Sequence, residues 1–74
     1  MGGIVPLMLR RLKELRTARG LSQEKLAAAA GLTSVTVATL ERGASCQMSS
    51  ALKLAKALGV SLSELMGEDQ QEAS

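Results

Sequence analysis

The stretch that decides the fold runs from residue 23 to residue 42: Gln23-Glu24-Lys25-Leu26-Ala27-Ala28-Ala29-Ala30-Gly31-Leu32-Thr33-Ser34-Val35-Thr36-Val37-Ala38-Thr39-Leu40-Glu41-Arg42. It reads as two short helices joined by a tight turn. Ser22 before it is a good N-cap for the first helix, expected over about 23–29. Thr33 caps the second, expected to reach about Arg42. Gly31 supplies the positive φ that the turn between them needs. Two helices crossing steeply need a small residue where they approach, and Ala27 fits. The second helix then needs branched apolar residues facing back one turn apart, and Val37 and Leu40 fit. Leu26, Ala30 and Leu32 complete the local core.

Small residue, glycine four positions on, valine six further: this spacing is the geometry of a helix-turn-helix that reads DNA. Working outward, Gly20, Gly31, Gly43 and Gly59 each follow a stretch with helical spacing, where a left-handed C-terminal cap is expected. A first helix is expected to begin near Pro6 and to end before Gly20, with Met8, Leu12 and Leu15 on one face. Residues 44–48 form a loop. Gln47 or Ser49 opens a fourth helix, whose Ala51, Leu54, Ala55 and Leu58 make an apolar stripe closed by Gly59. Ser61-Leu62-Ser63-Glu64 has the capping-box pattern and starts a fifth, reaching about Met66. The expected architecture is all-α: a compact five-helix domain over 1–66, with 67–74 as a flexible acidic tail.

Composition agrees. The chain has 74 residues, 13 of them Leu and 11 Ala, with no Phe, Trp, Tyr, His or Asn. A chain of this size is one small domain with a thin core. Leu and Ala favour helix, and the aromatic strand formers are missing. The same omissions exclude functions. Without His and with a single Cys, Cys46, no common zinc site and no Cys–His or Ser–His couple can be built, so no metal and no cofactor is expected. Without aromatics there is no stacking platform for single-stranded nucleic acid. The carboxylates are scattered and there is no glycine-rich phosphate loop, so an enzyme is not expected. One cysteine cannot form an internal disulfide, which suits a reducing, cytoplasmic setting with nucleoid association. No apolar run is long enough for a membrane span, and residues 4–9 do not make a secretory signal.

The net charge of +2 hides an asymmetry. All nine basic residues fall within 1–63, against Glu14, Glu24 and Glu41 there, leaving +6; residues 64–74 carry four carboxylates and no base. A small basic domain points to a polyanion as partner. Arg10, Arg11 and Lys13 cluster at the first helix, as solvated charge or for phosphate steering. Cys46 reads as a passive loop residue, because no neighbouring base activates it. Leu52, Leu62 and Met66 lie outside the core stripe and are expected to form a dimer surface.

Five motifs in order strengthen the reading: Leu12-Lys13-Glu14-Leu15-Arg16, Gly20-Leu21-Ser22-Gln23-Glu24-Lys25-Leu26-Ala27, Gly31-Leu32-Thr33, Leu40-Glu41-Arg42-Gly43 and Lys53-Leu54-Ala55-Lys56-Ala57-Leu58-Gly59-Val60-Ser61. Together they resemble the lambda-repressor and Cro-type helix-turn-helix regulators, over about residues 8–66. The resemblance implies a homodimer on double-stranded DNA, with the third helix in the major groove at two half-sites. It implies that Gln23 sits against a phosphate, that Ser34, Val35, Thr36 and Thr39 face bases and nearby backbone, and that Arg42 lies beside the phosphates. It also implies an internal ion pair of Arg16 with Glu41. The sequence departs from the family where many relatives carry long polar residues, here Ser34, Ala38 and Thr39. It departs again in the loop Ala44-Ser45-Cys46-Gln47-Met48, which lacks the usual basic residues and proline. Modest affinity is therefore expected, with specificity leaning on methyl contacts, such as Val35 or Thr36 against thymine, and on DNA shape. A domain this short has no room for a sensor, so regulation is expected through concentration, dimerisation or a protein partner. A phage-type repressor, a restriction–modification controller and an antitoxin remain open. The competing reading is a protein-interaction module on the same scaffold, of the bridging-coactivator kind.

Overall fold

The computed structural model describes residues 7–67. Five helices follow one another: α1 (Leu12–Ala18), α2 (Gln23–Ala30), α3 (Ser34–Glu41), α4 (Met48–Leu58) and α5 (Leu62–Met66). Most of their ends obey local chemistry. Ser22 Oγ accepts the Lys25 amide at 3.0 Å, Thr33 Oγ1 accepts that of Thr36 at 3.2 Å, and Ser61 Oγ accepts that of Glu64 at 3.0 Å. Each hydroxyl thereby satisfies one of the amides that a helix start leaves without a partner. Gln47 precedes α4 with no side-chain cap. Gly31, at φ +73°, ends α2, and the Leu32 amide turns back to the Ala27 carbonyl at 2.8 Å. That left-handed residue is what lets the chain leave α2 and enter α3 within a few residues.

The start of α1 differs from the expectation. The helix begins at Leu12, not near Pro6, which lies outside the described residues. Leu7 and Leu9 are both buried while Met8 between them is 45% exposed. That alternation belongs to extended chain, since residues two apart fall on nearly opposite sides of a helix. The Leu7 carbonyl accepts the Cys46 amide at 2.8 Å, in an isolated antiparallel bridge. Met8 therefore does not share a helical face with Leu12 and Leu15. Arg10 and Arg11 likewise precede α1 and do not sit on it, and Arg11 forks onto Glu14 at 3.1 and 3.2 Å.

The core is aliphatic. Leu12, Leu26, Val37, Leu54, Leu58 and Leu65 are essentially fully buried, one or two from each helix. Helix α2 packs against both α3 and α4, α1 touches α3 and α5, and α4 touches α5. Ala27 and Ala30 on α2 are buried, and so are Ala51 and Ala55 on α4, so close approach is made with small side chains. Arg19, just past α1, donates from Nε to the Leu58 carbonyl at 2.8 Å. This occupies one of the carbonyls that the end of α4 leaves unpaired. Cys46 is buried in the loop that joins α3 to α4, its Sγ donating to the Gln47 carbonyl at 3.3 Å. Burial pushes its thiol pKa up, which keeps it protonated and poorly nucleophilic. The acidic tail expected at 67–74 lies, beyond Gly67, outside the described residues.

Candidate nucleic-acid interface

Helix α3 has 8 residues. At a rise of 1.5 Å per residue it is about 12 Å long, comparable to the width of a major groove. Two turns are too few to be stable alone in water, so the helix is held by its neighbours. Its inner side buries Val37 and Leu40 against the core. Its outer side presents Val35, Thr39 and Arg42, spaced at i, i+4 and i+7 on one stripe, all exposed. Val35 is 73% exposed, the most open of the large apolar residues among those described. Thr36 and Ser34 flank the stripe and are half-buried.

Two hydroxyls on this face are already engaged. Thr39 Oγ1 donates to the Val35 carbonyl at 2.8 Å, and Thr36 Oγ1 shares a proton with Thr33 Oγ1 at 3.0 Å. Of the polar residues expected at the interface, Arg42 is exposed at the C-terminal end of α3.

Behind the helix a polar network fixes its orientation. Arg16 Nε donates to Glu41 Oε2 at 2.6 Å and its Nη2 to Oε1 at 3.2 Å, while Nη1 reaches the Leu21 carbonyl at 2.8 Å. Gln23, the first residue of α2, donates from Nε2 to Glu41 Oε1 at 3.0 Å. One carboxylate thus ties α1, the start of α2 and the end of α3. Burial by itself would push the Glu41 carboxyl up. The hydrogen bonds from Arg16 and Gln23, with the charges of Arg16 and Lys13, outweigh that and hold it below the usual carboxylate range. The fork from Glu41 likewise raises the Arg16 guanidinium. Two features of this network lay beyond the sequence reading. Gln23 is engaged with Glu41, and Arg16 also caps a loop carbonyl.

On α4 Leu52 is 52% exposed, whereas Leu62 and Met66 are half-buried against the core. Met48, 51% exposed, stands one turn before Leu52 on the same face of α4. It was missed as a surface residue, although its i, i+4 spacing from Leu52 was visible in the sequence. Among the described residues no cluster of three or more His, Cys, Asp or Glu could hold a metal ion, and no helix is long and apolar enough to cross a membrane.

Two packed helices joined by a tight glycine turn, the second exposed on one side and propped on the other, define a helix-turn-helix protein. The helix-turn-helix family model matches residues 12–65, and the chain belongs to that family, in its Cro and lambda-repressor-like branch. The family is one of transcription regulators rather than enzymes. Over 63 residues the chain is 40% identical to the HTH-type transcriptional regulator PuuR of Escherichia coli K12, and equally to that of Shigella flexneri. The match takes in 84% of this chain but 34% of PuuR, so the chain spans about a third of that relative's length. Among solved structures it is similar to the restriction–modification controller protein C.AhdI from Aeromonas hydrophila, at 50% identity and TM-score 0.72, covering 74% of this chain and 85% of that one. It is also similar to the hypothetical transcription factor NHTF from Neisseria, at 28% identity and TM-score 0.73, covering 89% and 83%.

Proposed function

We propose that the chain is a double-stranded DNA-binding transcriptional regulator that acts as a homodimer, each copy laying α3 in the major groove of one half-site. The observation that carries this is the division of α3 into two sides. Val37 and Leu40 anchor it, Glu41 fixes its rotation through Arg16, and Val35, Thr39 and Arg42 face outward. Val35, Thr36 and Thr39 are the residues proposed to meet base edges. Ser34 and Arg42 are proposed to meet backbone phosphates, and Gln23 to reach one with the second proton of its amide. The exposed Leu52, with Met48 beside it and the outer edges of Leu62 and Met66, is the proposed dimer surface. The two half-sites would then lie about one helical turn apart. The 50% identity to a controller protein supports the controller role among the regulatory roles left open.

The test is binding to duplexes selected from a random pool, measured at several salt concentrations. Log K should fall linearly with log salt, with a slope of about −0.9 per phosphate contacted. Arg42→Ala should weaken all sequences alike and reduce that slope by about one contact. Absent or salt-independent binding, together with stoichiometric capture of a protein, would instead favour an interaction module.

A further inference from the structure

We infer that the outward face of α3 reads the C5-methyl groups of pyrimidines in the major groove, so that thymine and 5-methylcytosine are equivalent to it. This rests on the DNA-binding reading above and goes on to name the chemical group recognised. The argument begins with where the hydroxyl protons go. Thr39 Oγ1 has committed its proton to the Val35 carbonyl at 2.8 Å, and Thr36 Oγ1 and Thr33 Oγ1 share one at 3.0 Å, with the Thr33 oxygen also accepting the Thr36 amide. The Thr39 hydroxyl, its proton spent, can only accept, and the Thr36–Thr33 pair uses one of its two hydroxyl protons internally, leaving a single proton to donate outward.

Purine N7, guanine O6 and thymine O4, which fill much of the major-groove edge, are acceptors as well. Two acceptors do not bond. Apart from Arg42, proposed above to meet a phosphate, and the one spare proton of the Thr36–Thr33 pair, the side chains of this face have little with which to read those atoms. The Gln23 amide is partly spent on Glu41 Oε1 at 3.0 Å. What the face does offer is methyl surface. Val35 is 73% exposed and carries two methyls. Thr36 and Thr39 each carry one, and the Thr39 hydrogen bond to its own helix holds that χ1, and so the methyl, in a single orientation. The only groove-edge group of matching chemistry is the pyrimidine C5-methyl. Thymine carries it, and 5-methylcytosine places it at the same ring position while presenting the other hydrogen-bonding pattern.

The experiment uses the unaltered protein and changes only the DNA. Starting from the duplex that selection yields, each thymine is replaced in turn by uracil, which removes one methyl and nothing else. At the positions under α3 the affinity should drop about fourfold per methyl, the equivalent of ~0.8 kcal/mol for one buried carbon. At the same positions the pair is then changed to cytosine and to 5-methylcytosine. The methylated base should bind about fourfold better than the plain one. In Val35→Ala, an exposed and therefore tolerated substitution, both differences should shrink. Tight, salt-dependent binding indifferent to uracil and to cytosine methylation would overturn this inference and leave the regulator standing. Failure to select any duplex would overturn both.

Discussion

Arg16→Met tests whether the network behind α3 is what holds it. The substitution keeps an apolar stem and removes the guanidinium. It breaks the bonds to Glu41 at 2.6 and 3.2 Å and the bond to the Leu21 carbonyl at 2.8 Å. The two side chains are 11% and 6% exposed, so water cannot readily replace the lost partner. Removing one member of a buried pair costs about 3–5 kcal/mol, and because the Gln23 amide still serves Glu41 the low end, about 3 kcal/mol, is expected here. A 74-residue domain has roughly 4–11 kcal/mol in total, so the loss is a large fraction. Urea unfolding followed by circular dichroism should report it, and thermal unfolding should show a Tm lower by roughly 12–24 °C. Adding Glu41→Leu removes the stranded carboxylate, and the double variant should recover to within about 1 kcal/mol of wild type.

Acid supplies a second readout of the same pair. In the wild type the folded Glu41 pKa is lowered, so its stabilisation is complete above the unfolded carboxylate value and is lost as pH falls through the folded one. In Arg16→Met the hydrogen bonds and charge of Arg16 no longer oppose burial, so the carboxyl pKa rises from its wild-type value. The gap between wild type and variant should therefore narrow on acidification. A loss under about 1 kcal/mol, or a double variant no better than the single, would refute the reasoning.

The remaining predictions concern the turn and the proposed dimer. Gly31→Ala has open space for its new methyl but must keep φ at +73°, so it should cost about 1–2 kcal/mol in chemical denaturation without altering the helix content of the folded state. Leu52→Lys removes an exposed apolar group, so sedimentation should show a shift toward monomer while the spectrum stays native; an unchanged mass would remove this face from the dimer proposal.

The helices were legible because their signals are local. Ser22, Thr33 and Ser61 cap within three residues of themselves, and Gly31 and Gly59 end helices at their own φ. The start of α1 was not legible. Residues 7–9, Leu7-Met8-Leu9, are apolar throughout, and a continuous apolar run carries no period from which to tell helix from strand. Its extended course goes with the burial of Leu7 and Leu9 in the core and with one amide from Cys46, far along the chain. The same holds for the site. Arg16 with Glu41 came from a family resemblance, whereas the bond of Gln23 to Glu41 spans 18 positions and that of Arg19 to the Leu58 carbonyl spans 39. No local pattern announces such contacts, because the fold alone brings their ends together. The committed threonine protons fall between these cases. The spacing of Thr39 from Val35 is that of a back-bond to the preceding turn, but only geometry shows the hydroxyl turned that way.

The layout of α3 has a consequence for how this domain could change what it reads. Val35, Thr39 and Arg42 are exposed, and none of their side chains braces the helix from another element. Surface substitutions away from caps and buried networks usually move stability by less than 0.5 kcal/mol. The stripe proposed to meet bases can therefore vary while Val37, Leu40 and the Glu41 network hold the rod in place. Gln23 is the exception. Its amide serves Glu41 on one side and, in the proposed complex, a phosphate on the other. Replacing it withdraws a partner from a buried carboxylate as well as the proposed contact from the DNA. Of the residues proposed to touch DNA, it is thus the one at which recognition and stability are joined, and its substitution should move both together where Val35 moves only the first.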